Sequence, residues 1–88
     1  MDAEAIYRAY RAKTLAKDGW LQHGPLLTDI DVLNIVPQGL TFRGGYVPDL
    51  NSRVVVHIGG MSVEGIMSSH GDLRGAILFV RPVPPSAP

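Results

Sequence analysis

Arg8, Arg11, Lys13 and Lys17 are half of the eight basic residues of this 88-residue chain, and all four lie within its first 17 positions. Only Asp2 and Glu4 oppose them there. A guanidinium is a planar fork of donors that pairs with phosphate oxygens and stacks on a nucleobase. Arg8, Arg11 and Lys13 therefore form a basic cluster whose arginines have the chemistry to pair with a phosphate. The same residues also read as the solvated basic face of a short helix. That plainer reading is adopted for Lys17, and both stay open for Arg11.

A second constellation is the hexapeptide Asn34-Ile35-Val36-Pro37-Gln38-Gly39. It interrupts two β-rich runs, which is the pattern of strand, turn and strand. Asn34 and Gly39 are candidate ligand contacts at that edge. Turn chemistry explains them too, since Asn bonds its own backbone and Gly accepts positive φ. Val36 precedes a proline and is held extended, packing inward or against the N-terminal helix. Ser68, Ser69, His70 and Asp72 have the atoms of a nucleophile and its base. They are too nearly consecutive to converge as a triad, so they read as a polar turn. His23, His57 and His70 with Asp29 and Asp31 show no metal-ligand spacing, so no metal is expected. Trp20 has a face on which a base could stack, but it reads better as a core residue.

The elements that must position these groups are short strands. The chain is 45% hydrophobic and 18% charged, with 10 glycines and seven prolines, as expected of a single small domain rich in turns. Formal net charge is zero, so general binding to DNA or RNA is not implied. Cysteine is absent, which excludes disulfides and fits a reducing cytoplasm. No apolar run reaches the roughly 20 residues of a membrane span, and the first residues lack the apolar segment of a signal peptide. A short helix is predicted over residues 2–13, with Asp2 as its N-cap. Strands are predicted over residues 19–22, 26–36, 40–43, 53–58, 61–68 and 75–80, with a loop at 69–72. Within 26–36 the alternation slips at Val32-Leu33, which a bulge explains. Gly59-Gly60 is a two-residue hairpin connection. Val54, Val56, Val63, Leu78 and Trp20 are expected to be largely buried. A Pro-rich tail, residues 84–88, is expected to be disordered.

Taken in order, three motifs resemble those of the PilZ domain, the small β-barrel that serves bacteria as a receptor for cyclic di-GMP. Tyr-Arg-Ala-Tyr-Arg at 7–11 stands where that family has Arg-x-x-x-Arg before its first strand. Asn34 to Gly39 stands where it has Asp/Asn-x-Ser-x-x-Gly, and Gly75-Ala76-Ile77-Leu78-Phe79 resembles its closing strand. The likeness spans roughly residues 8–81. Arg11, Asn34 and Gly39 match. Tyr7 replaces the first arginine, with Arg8 one position late, and Val36 replaces the serine.

The resemblance implies a mainly β fold, an antiparallel PilZ-like barrel of five or six strands with a short N-terminal helix, occupying residues 1–83. It implies a cytoplasmic regulatory module and not an enzyme, without a resident cofactor. Its possible ligand is cyclic di-GMP, held by Arg8, Arg11, Asn34 and Gly39 in a weakened site. The alternative is an adaptor on the same scaffold that binds no nucleotide and docks a partner protein.

Overall fold

The computed structural model describes residues 3–84. One helix, α1 (Ala3–Arg11), precedes six strands: β1 (Asp18–His23), β2 (Leu26–Val36), β3 (Gly39–Gly44), β4 (Arg53–Ile58), β5 (Met61–His70) and β6 (Arg74–Phe79). The strands pair in the order β1, β2, β3, β6, β5, β4, and β4 pairs back to β1, so the sheet is a closed barrel. Every pairing is antiparallel. Closure removes the exposed edges that open sheets must protect. Among the described residues no helix is long and apolar enough to cross a membrane.

Alternation of side chains along each strand fills the barrel. Val54, Val56 and Ile58 point inward from β4, Val63 and Met67 from β5, and Ile77 and Phe79 from β6. Leu40 and Phe42 come from β3, and Leu21 from β1. In β2 the inward residues are Ile30, Val32 and Ile35, so the period of two breaks once. The break is a register shift between Val32 and Asn34, the bulge that the adjoining Val32-Leu33 predicts. The hairpin at Gly59-Gly60 also forms as predicted, with φ of 59° and 77° at its two glycines. That is the mirror-image turn whose twist suits a two-residue connection.

Parity along the strands overturns two burial expectations. Trp20 is 48% exposed and Leu78 is 53% exposed. Leu21 takes the inward place in β1, and Ile77 and Phe79 take those in β6, so their sequence neighbours must face out. The predicted loop at 69–72 is also corrected. Ser69 and His70 continue β5, opposite Ala76 and Gly75, beyond a second register shift between Met67 and Ser69.

The helix ends two residues earlier than predicted. Lys13 adopts a φ of 59°; its N–H bonds the Tyr10 carbonyl at 3.1 Å, and the Thr14 N–H bonds that of Ala9 at 2.9 Å. This is a Schellman cap with lysine in the left-handed position that glycine usually takes. Asp2, the predicted N-cap, lies outside the described residues, as does the predicted tail beyond Pro84. Ala3 and Ile6 bury their side chains in the core, and α1 packs on β2 and β5. At the other terminus the Val83 N–H bonds the Pro37 carbonyl at 2.9 Å.

Val56 is wholly buried and pairs with Leu21 and Val63 on its two sides. Val56→Ala should therefore cost about 1–3 kcal/mol, from lost apolar burial and the residual cavity. Urea denaturation followed by circular dichroism measures this, and an unchanged midpoint would contradict it.

Candidate functional site

The sequence places the candidate contacts on two elements, and the fold brings one end of α1 to β2. Burial of Ile6 seats the helix, and the half-buried Tyr10 then reaches across. The Tyr10 hydroxyl donates to Asn34 Oδ1 at 2.8 Å. This bond spans 24 positions of chain and sets Arg11 next to the residue that meets Asn34. Arg11 is exposed; its Nη1 donates to the Tyr7 hydroxyl at 3.0 Å, and its guanidinium carbon lies 5.9 Å from the Tyr7 ring centroid. Arg8 pairs instead with Glu4, one helical turn earlier on the exposed face.

Asn34 is exposed on the outer face of β2, where it lines a shallow groove of about 130 Å3 with Val36, Gly39, Thr41, Ala76 and Leu78. Of the two placements expected of Val36, inward or against the N-terminal helix, the inward one is overturned: it is 42% exposed. Ile35 has taken the core position beside it.

Gly39 is buried, and its φ is not positive. The residue is needed for close approach, because a Cβ there would lie 1.9 Å from the Ile77 carbonyl oxygen. Of the four predicted contacts, Asn34 and Gly39 thus share one groove. Arg11 neighbours the residue bonded to Asn34, while Arg8 is tied back along its own helix.

A second polar cluster lies on another part of the barrel. His57 Nε2 lies 2.8 Å from Gln22 Oε1, and His57 Nδ1 lies 2.9 Å from Ser62 Oγ. With the amide oxygen accepting, Nε2 carries the hydrogen and Nδ1 accepts from the serine hydroxyl. The serine has a base, but the third group is a neutral amide. It orients the ring without stabilising the imidazolium that proton transfer would create. This cluster was not singled out from the sequence, although a signal for it existed. A two-residue turn at Gly59-Gly60 sets His57 opposite Ser62 in the ladder. The other histidines have separate partners. His70 Nδ1 lies 2.9 Å from the Pro48 carbonyl, and His23 Nδ1 lies 2.8 Å from the Tyr46 hydroxyl. Among the described residues no three His, Asp or Glu side chains converge to hold a metal ion.

The architecture is that of a small closed antiparallel barrel with one docked helix. Comparison with protein-family models, curated proteins and solved structures finds no match.

Since a side chain at position 39 would collide with the backbone of β6, Gly39→Ala should destabilise the fold by about 1–3 kcal/mol or more. Thermal unfolding of the variant checks this. A melting midpoint equal to that of the wild type would show that the strands part at little cost.

Proposed function

We propose that this chain is a non-catalytic regulatory module of the PilZ type, taking cyclic di-GMP weakly where α1 meets the β2–β3 edge. The single observation that carries the reading is the Tyr10–Asn34 hydrogen bond, which draws the arginine-bearing helix to the motif on the barrel. A closed barrel with an N-terminal helix is also the fold that the resemblance implies.

The energies favour Arg11 as the anchor. Leaving an exposed tyrosine face costs about 0.5–1 kcal/mol, whereas a charge-assisted bond to phosphate contributes about 1.5–3 kcal/mol. Arg8 leaves an exposed ion pair, worth about 0.2–1 kcal/mol, to act as a substitute for the missing first arginine. The site is weak for geometric reasons as well. Its groove of about 130 Å3 is small beside the several hundred Å3 of ordinary ligand pockets. Val36 offers methyl groups where the motif has a hydroxyl, a loss of about 1 kcal/mol. Tyr7 both omits a guanidinium and holds Arg11 against the helix.

The second reading, an adaptor that binds no nucleotide, is favoured by a specific surface. Val36, Leu78 and Ile66 are 42%, 53% and 39% exposed. They follow one another across the outer face, since Val36 pairs with Gly39, Gly39 with Leu78, and Leu78 with Ile66. Three apolar side chains in one row over four strands, with only Gly39 between Val36 and Leu78, suit protein contact more than a phosphate.

Calorimetric titration with cyclic di-GMP separates the readings. Weak binding is expected for the wild type. Arg11→Ala should weaken it at least about tenfold, and Tyr7→Arg combined with Val36→Ser should strengthen it. If neither the wild type nor this double variant binds, the adaptor reading replaces the nucleotide site.

A further inference from the structure

Trp20 stands outward because Leu21 fills the core, and it does not stand alone. Cross-strand register puts it in one row with Asp29 of β2 and His57 of β4. The outward row two residues along holds Asp18, Asp31 and Arg43, each opposite the next. Such rows lie about 7 Å apart along a strand. The indole and the three carboxylates therefore line one open cleft of about 920 Å3. No ion pair joins any of these carboxylates to another described residue. The wall beside Trp20 is braced, because His57 is bonded on both ring nitrogens, to Gln22 and Ser62. Pro25 and Leu27 extend the apolar surface from Trp20 on the adjoining side.

Charge selects the occupant. An exposed indole stacks equally well on a nucleobase or a guanidinium. Three carboxylates against one guanidinium repel a phosphate and attract a cation. Arginine satisfies both demands, since its planar group lies on the face of tryptophan while its N–H fork pairs with a carboxylate. Tryptophan and arginine are also the residues most enriched at the energetic centres of protein interfaces.

The geometry points to this cleft as the docking site for an arginine-bearing segment of a partner protein. One guanidinium stacks on Trp20 and pairs with Asp29. Asp18 and Asp31 take a second cation, and an apolar neighbour rests on Leu27 and Pro25. The cleft shares no lining residue with the groove at Asn34, so it stands or falls independently of nucleotide binding.

Trp20 is the only tryptophan, so its fluorescence reports on the cleft directly. The probe is hexa-arginine amide at low salt, with hexa-lysine and hexa-glutamate for comparison. Hexa-arginine should give a saturable change in emission, hexa-lysine a weaker one and hexa-glutamate none. The midpoint should rise at least about tenfold in the Asp29→Asn, Asp31→Asn variant. It should be unchanged in Asp49→Asn, whose carboxylate does not line the cleft. Backbone amide shifts induced by hexa-arginine should vanish in Trp20→Ala, with the folded state checked by circular dichroism. Emission that fails to saturate, or equal loss in both aspartate variants, overturns the proposal. So does an emission change on raising protein concentration alone, accompanied by dimers in sedimentation, because a second copy would then be what covers the cleft.

Discussion

When β4 pairs back to β1, every strand acquires two neighbours, and each residue must face either the packed interior or the outside. A single outward slip would move a whole strand's apolar set to the wrong side. The interior is small, so the choice is made by shape as well as hydrophobicity. Leu21, wholly buried against Val56, holds the closing pair together, and it is Leu21 that forces Trp20 out. The same constraint places Ile77 and Phe79 inside and leaves Leu78 exposed between them.

The two bulges are how a closed barrel reconciles this parity with strand length. In β2 the shift between Val32 and Asn34 turns Ile35 inward and aims Asn34 and Val36 outward. Asn34 thereby becomes available to Tyr10. The shift in β5 lets that strand run on to His70, which meets the loop at Pro48. Bulges that re-aim side chains are common beside functional surfaces of barrels. Here one of them makes the only side-chain hydrogen bond from α1 to the barrel among the described residues.

Two surfaces of opposite character result. The groove at Asn34 has largely apolar walls, and the Tyr10–Asn34 bond ties α1 beside it. The cleft at Trp20 carries carboxylates and an indole, which suits a cation. A formal net charge of zero conceals this segregation. Composition alone implies no general polyanion binding, but it is silent about local fields. Those fields depend on which residues the ladder sets side by side.

What the amino-acid order determined unaided was local. The β-branched run Arg53–Ile58, the Gly59-Gly60 turn and the slip at Val32-Leu33 each prefigure an element, because backbone preference and turn sterics act over a few residues. Such strands joined by Gly/Pro turns argue for a small antiparallel barrel or sandwich, and only the pairing of β4 with β1 decides for the barrel. The pairing of His57 with Ser62 was also within reach, since a two-residue turn dictates register. Only the tertiary structure decided which of two adjacent apolar residues faces the core, as for Trp20 against Leu21 and Val36 against Ile35. That outcome depends on partners far away in the chain. Gly39 illustrates the same limit: it read as a turn residue needing positive φ, yet it is required because β6 passes within a side chain's reach. The Tyr10–Asn34 bond and the Trp20–Asp29–His57 row join positions with no local signal between them. Each exists because closing the barrel brings those strands and the helix to one place.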